Sequence, residues 1–307
     1  MTFEHVPVMG REVTELFAAV PTGTVVDATV GGGGHARLLL ESRSDLRILG
    51  IDRDRQAVAA ATEALRPYED RARVVHGGFE HLAERIESEG SDIVGILFDL
   101  GVSSPQLDRR TRGFSYWDDA PLDMRMDSSQ ELTAEQVLNE YPEGLLAELI
   151  ATNGEERFAR RIARAIVATR PLRTSSDLVA AVKVGIPARA RRRGGHPARR
   201  TFQAIRMEVN RELPNLAEGL DESVHVIAPG GRILVVAYHS LEDRMVKERF
   251  AEWSGTAPTP PGPPTVRPTP RTRLLTRRPR RPSDEEIARN PRSSSARMRA
   301  VEKLRAS

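Results

Sequence analysis

Residues 24–36, TVVDATVGGGGHA, and residues 47–52, RILGID, decide the fold. The first stretch is a short β-branched run that ends on a carboxylate at Asp27. It then opens into the glycines Gly31 to Gly34 and enters a helix-compatible segment at His35 and Ala36. Glycine lets a backbone take positive φ and approach a ligand where a Cβ would collide. The free N–H groups of the helix that follows face the same ligand. The second stretch is another short strand, which delivers Asp52 to a place where a carboxylate accepts both hydroxyls of a ribose. Together they describe a pocket for a nucleoside-bearing cofactor.

Working outward, the buried runs Thr24–Ala28, Arg47–Asp52, Arg73–His76, Ile93–Asp99 and Gly231–Tyr238 read as strands. Helix-patterned spacers such as Gln56–Leu65 and Phe79–Ser88 separate the first four. Strands alternating with helices imply an α/β fold: a Rossmann-like, mainly parallel sheet with helices on both faces. Ligands of such sheets bind beyond the carboxyl ends of the strands, so Asp27, Asp52, Phe79 and Asp99 are expected to converge. After Asp99 the alternation stops until RILVVAY at 232–238. The interval carries helical stripes, Phe158/Ile162/Ile166 and Phe202/Ile205/Val209/Leu213. We expect a main domain of residues 1–105 and 215–307 with a helical substrate-recognition subdomain, 106–214, inserted into it. Residues 254–283 hold nine prolines, seven arginines and no acid, the composition of a long extended loop. The segment ARMRAVEKL at 296–304 is expected to return a last strand to the sheet.

Composition bounds the class. The chain has 307 residues, 39% hydrophobic and 29% charged, as in ordinary soluble globular proteins. It has no cysteine, so neither a disulfide framework nor a thiolate metal site is expected. No histidine pair combines metal-ligand spacing with the strand ends, and no metal is expected. The first residues lack the apolar core of a signal peptide, and no apolar run reaches membrane-spanning length, which makes a cytoplasmic protein without a membrane partner the expectation. Of 46 basic residues, only Lys183, Lys247 and Lys303 are lysines. Arginine excess follows either from a GC-rich genome or from phosphate recognition by the guanidinium fork.

The pattern Gly31-x-Gly33-x-x-Ala36 with Asp52 downstream fits NAD, FAD or S-adenosylmethionine. Asp27 favours the last. A carboxylate just before the glycines suits a ligand carrying an ammonium and a sulfonium, and repels a pyrophosphate in a partly desolvated site. The competing reading of Asp27 is a turn former or helix cap. Phe79, in HGGF at 76–79, is placed to cover an adenine, or else is a core aromatic, and His35 lines the pocket or is structural. The run IVGILFDLGVSSPQLD at 93–108 then delivers Asp99 and a Ser103-Ser104-Pro105 turn. Methylation of an exocyclic base amine needs hydrogen-bond acceptors there, because the nitrogen lone pair is delocalised into the ring and must be held for in-line attack.

These residues carry a resemblance. HVPVM at 5–9, DATVGGGGH at 27–35, GIDRD at 50–54, HGGF at 76–79, DLGVSSPQLD at 99–108, RGFS at 112–115, PLDMRMD at 121–127, GEERFA at 154–159, HPARRTFQA at 196–204 and HSLEDR at 239–244 resemble the bacterial ribosomal RNA small-subunit (cytosine-N4) methyltransferase family along nearly the whole chain. The resemblance implies a class I S-adenosylmethionine-dependent methyltransferase fold. It implies cofactor contacts at Gly33, Gly34, His35, Asp52, Phe79, Asp99 and Gln106, and methylation of cytidine N4 in the decoding region of 16S ribosomal RNA. Where aminomethyltransferases usually carry Asp/Asn-Pro-Pro-aromatic, this chain has Asp99-Leu-Gly-Val-Ser-Ser-Pro. Asp99, assisted by Ser103 or a turn carbonyl, is therefore the expected acceptor, with His239 as a candidate for orienting the base or taking a proton, or else as a strand-end structural histidine.

A base inside folded RNA must be splayed out before its amine is reachable. Phe114, Tyr116 and Trp117 are expected either to stack on a base or to anchor the insertion, whereas Met124 and Met126 are expected to pack. Arg189, Arg191, Arg192, Arg193, Arg199 and Arg200 cluster without acids and form the expected RNA contact. The partner is then small-subunit ribosomal RNA or the small subunit itself, with a homodimer compatible with the amphipathic helices. The rival classes are an NAD-linked oxidoreductase and a noncatalytic RNA-binding factor.

Overall fold

The computed structural model describes residues 7–87, 90, 92–101, 112–191, 195–258 and 269–305. The chain divides into two compact units, one built from residues 1–101 and 214–307 and the other from 102–213.

The first unit is organised on seven strands: β1 (Gly23–Asp27), β2 (Leu46–Asp52), β3 (Ala72–His76), β4 (Ile93–Asp99), β5 (Arg232–Ala237), β6 (Thr272–Leu274) and β7 (Arg297–Lys303). They form one sheet in the order β3-β2-β1-β4-β5-β7-β6. The first five are parallel, and β7 pairs antiparallel with both β5 and β6. Each of the first five lies within a residue of its expectation. Side chains alternate between two buried faces, as a strand period of two requires. Val25, Ile48, Leu97 and Leu234 enter one core with Phe17 and Leu39, while Val26, Leu49, Phe98 and Val235 enter the other with Leu220, Phe250 and Trp253.

β1 is followed in space by β2 and β3 on one side and by β4 and β5 on the other, which makes the β1/β4 junction the switch point of the sheet. Asp27 lies opposite Gly50 and Leu97, so Asp52 and Asp99 each extend two residues beyond it on the flanking strands. The stretch 254–283, expected to be an extended loop, departs from that reading. Thr272–Leu274 forms β6, because Thr272 and Leu274 sit in register with Lys303 and Val301 at the sheet edge. The arginines and prolines around it masked a three-residue strand. Residues 259–268 lie outside the described residues.

The second unit is helical, with helices at Ala134–Glu140, Glu143–Thr152, Ala159–Ala168, Ser175–Gly185, Ala188–Arg191 and Arg199–Asn210. Thr133 with Gln136 and Thr174 with Asp177 form reciprocal capping boxes that start two of them. The core gathers Ile162, Ile166, Leu178, Phe202 and Ile205 together with Met124 and Met126, which pack as expected. Asn210 ties the PLDMRMD loop to its helix. Its Nδ2 donates to the Met124 carbonyl at 2.8 Å, and its Oδ1 accepts from the Met126 amide at 2.7 Å.

Two helices of this unit approach closely at Gly185, where a Cβ would stand 2.6 Å from Ile162 Cα. Gly185→Ala must therefore push two backbones apart, and urea unfolding is expected to show a loss of about 1–3 kcal/mol. Gly144→Ala, which meets nothing within 4 Å, is expected to be neutral or stabilising by up to about 1 kcal/mol.

Candidate active site

The carboxyl ends of β1, β2 and β4 bring Asp27, Asp52 and Asp99 to one edge of the sheet. Asp27 is 1% exposed. Its Oδ1 accepts the Thr29 amide at 3.3 Å, and its Oδ2 is buried without a hydrogen-bond partner. The loop after β1 turns through Gly31 (φ 53°) and Gly33 (φ 81°), backbone states that glycine adopts without strain. The helix Gly34–Ser42 then begins. A side chain at Gly33 would press on Leu65 and Ala61, and one at Gly34 on Pro7, whereas Gly32 has open space beside it. Pro7 is thus seated against the start of the glycine helix. Asp52 holds the loop from the neighbouring strand. Its Oδ2 accepts the Gly31 amide and its Oδ1 the Asp54 amide, both at 2.9 Å.

His35 is 5% exposed, and neither ring nitrogen has a hydrogen-bond partner. Its Nε2 stands 3.4 Å from Asp99 Oδ2, an ion-pair distance without hydrogen-bond geometry. Asp99 is held from both sides of β4. Its amide donates to Thr29 Oγ1 at 2.7 Å, and its Oδ1 accepts the Tyr238 hydroxyl at 2.8 Å. Sequence reasoning missed Tyr238. The available signal was a lone hydroxyl-bearing ring ending the otherwise aliphatic strand RILVVA.

Phe79 opens a short turn of helix after β3. It packs edge-on against Phe98 at 5.4 Å, with the Arg53 guanidinium 5.8 Å from its ring centre. It is partly buried and shares the core of Phe98. His239 caps the helix Ser240–Trp253. Its Nδ1 accepts the Glu242 amide at 3.4 Å, and its Nε2 stands 3.1 Å from Glu242 Oε1. The Glu242 carboxylate also accepts the Tyr238 and His239 amides. Ser103 and Gln106 lie outside the described residues. In the helical unit Phe114 is buried in the core, while Arg189, Arg191, Arg199 and Arg200 are exposed; Arg192 and Arg193 lie outside the described residues.

Charge follows from this packing. Burial raises the Asp27 carboxyl to about 7; His35 opposes the shift, and Asp99 adds to it. Burial pushes His35 down, but Asp99 and then Asp27 outweigh it and hold the ring above its ordinary value. Burial likewise raises Asp52, against the amides of Asp54 and Gly31. Burial and the nearby Asp99 raise the Tyr238 hydroxyl well above its usual range, so it stays a donor. The result is a desolvated cluster of carboxylates and unpaired polar atoms beside a glycine turn.

The MraW methylase family model matches residues 2–304. The chain belongs to the MraW methylase family. Over its full length it is 49% identical to a Symbiobacterium thermophilum protein named ribosomal RNA small subunit methyltransferase H, covering 98% of that relative. A Thermobifida fusca protein of the same name is 50% identical over 98% of this chain and 94% of its own. A Heliobacterium modesticaldum namesake is 46% identical over 99% and 100%. Membership of a methylase family sets aside the NAD-linked reading and makes S-adenosylmethionine the cofactor. The residues present fit it. The unpaired Asp27 Oδ2 at a floor shared with Asp99 suits a cation, and each Asp52 oxygen keeps a lone pair for a ribose hydroxyl beyond its amide bond.

The buried acid sets a pH dependence. The folded value of Asp27 lies above the ordinary ~3.9, so the folded state holds its proton more tightly, and stability falls as pH rises from about 4 to about 7. Unfolding midpoints of Asp27→Asn relative to wild type are expected to be higher at pH 8 than at pH 5. S-adenosylmethionine affinity is expected to rise with pH up to about 7, by at most about tenfold per unit. Loss of the Asp27 proton and of the His35 charge both favour a cation. Calorimetric titration of wild type and variant checks this, with the variant showing the flatter profile.

Proposed function

We propose that this protein transfers a methyl group from S-adenosylmethionine to N4 of a cytidine in the decoding region of small-subunit ribosomal RNA. The observation that carries the reading is the Asp99 carboxylate. It is clamped by Tyr238 and Thr29 beside a cation-suited pocket, in a chain about half identical to small-subunit ribosomal RNA methyltransferases.

When bound, the cofactor supplies a methyl group made electrophilic by its sulfonium. The work of the protein is to hold an amine in line with it. A cytosine N4 is flat and weakly nucleophilic, because its lone pair is shared with the ring. Asp99 accepts one N4–H as a hydrogen bond, which fixes the nitrogen and steadies the positive charge that grows on it. The N–C bond forms as the S–C bond breaks. The surplus N4 proton then leaves to water, since the product cation is acidic enough to need no dedicated base. Tyr238 fixes the carboxylate rotamer by donating to the Oδ1 atom, leaving the second oxygen for His35 and the substrate.

His239 is assigned a structural role, because its Nδ1 and backbone N–H are spent on capping its own helix. Asp27 and Asp52 hold the cofactor's charged end and its ribose. The helical unit, with exposed Arg189, Arg191, Arg199 and Arg200, supplies phosphate contacts. No helix among the described residues is long and apolar enough to cross a membrane. A ribosomal substrate places the reaction in the cytoplasm.

The test is transfer of isotopically labelled methyl to small subunits from a strain lacking this gene, with the nucleosides resolved by mass spectrometry. Label in N4-methylcytidine is the expected result, and label in another nucleoside overturns the chemistry. Asp99→Asn is expected to lower kcat about 100-fold or more with RNA affinity near wild type. Tyr238→Phe, which frees the carboxylate without removing it, is expected to cost about tenfold in kcat.

A further inference from the structure

Among its described residues the helical unit exposes one large aromatic, Trp117, at 75%. Its neighbours form a bracket. Tyr116 stacks on His196 with ring centres 4.5 Å apart and planes 6° from parallel. Trp117 leans on both, 5.4 Å from Tyr116 and 4.8 Å from His196. The bracket is rooted in the unit's core, since Tyr116 meets the buried Phe202 edge-on at 5.7 Å. The Trp117 amide donates to Ser115 Oγ at 3.1 Å, which fixes the turn that lifts the indole outward. Trp117 therefore stands on an ordered base while its own ring buries little, and packing alone does not account for its position.

The surroundings select a polyanion. Exposed Lys183 is near enough that its charge, after burial, holds His196 below its ordinary value, so the ring stacks as a neutral aromatic. Exposed Arg199 lies one turn on, its amide donating to the His196 carbonyl at 3.1 Å. Two acids follow the indole: Asp118 is half-buried, its carbonyl accepting the Ser175 hydroxyl, and exposed Asp119 is engaged at a helix start, accepting the Ser176 amide at 3.4 Å. An exposed indole on a braced aromatic stack, flanked by cations, has the make-up of a base-stacking platform for single-stranded nucleic acid.

We propose that Trp117, braced by Tyr116 and His196, stacks on an unpaired base of the substrate RNA while Lys183 and Arg199 meet its phosphates. The proposal rests on the RNA reading above and deepens it to one subsite. The chain's two tryptophans separate cleanly, because Trp253 is 2% exposed and Trp117 supplies the solvent-accessible emission.

Titrating a short single-stranded RNA oligonucleotide is expected to quench wild-type tryptophan emission and to leave Trp117→Phe, which keeps only Trp253, unchanged. Trp117→Ala is expected to weaken RNA binding about tenfold, and Trp117→Phe by less than about threefold. Unchanged emission on RNA binding, or wild-type affinity in Trp117→Ala, overturns the platform. The proposed function survives that result if the same wild-type preparation methylates small subunits. Quenching that follows protein concentration without RNA assigns the indole to a second copy of the chain and also overturns the proposal.

Discussion

The pairing of β1 with β4 is the constraint on which the active edge depends. It joins strands far apart in the chain and sets the two halves of the sheet on opposite sides of one junction. The register carries Asp99 two residues past Asp27, and the Thr29 hydroxyl then accepts the Asp99 amide, stitching the two strand ends together. Without that stitch, the glycine turn and the Asp99 carboxylate would be set by separate loops. With it, His35 is buried beside two acids, Asp27 and Asp99.

The junction has an electrostatic character. A carboxyl raised to about 7, beside an imidazole raised by its acidic neighbours, is a pair whose charges are poorly solvated by the fold itself. Buried polar groups without partners are costly unless a partner is supplied. A cation bearing its own hydrogen-bond donors is the natural complement. A ligand that supplies those partners binds the folded state alone and so stabilises it.

Much of this was legible from the residues. The five parallel strands were found to within a residue, because each is a short β-branched run with turn residues after it. Asp27, Asp52 and Asp99 were legible for a simpler reason: a carboxylate at the last position of a buried parallel strand has only the ligand edge to face. Other features were hidden. Tyr238 reads as one more apolar residue of its strand, and only the placement of β5 beside β4 shows its hydroxyl reaching Asp99. His239 looked chemical until the helix after it showed the spacing of a capping box, with histidine in place of the usual serine or threonine. The strand at Thr272–Leu274 is too short for any periodicity to register against its arginines and prolines. Phe114 and Trp117, three residues apart in one sequence block, went to opposite fates, one into the core and one to the surface, and no local pattern separates them.

The order of the sheet also bears on how the molecule comes into being. β7 lies between β5 and β6, although it follows both in the chain. Until residues 297–303 emerge from the ribosome, β5 presents an open row of backbone donors and acceptors, and β6 has nothing to pair with. An unpaired hydrophobic strand edge is a template for unwanted association. The nascent chain therefore carries a sticky flank from the completion of β5 at Ala237 until β7 arrives, and loss of residues 297–303 leaves that flank uncovered. Residues 297–303 are the seam that joins β6 to the rest of the sheet.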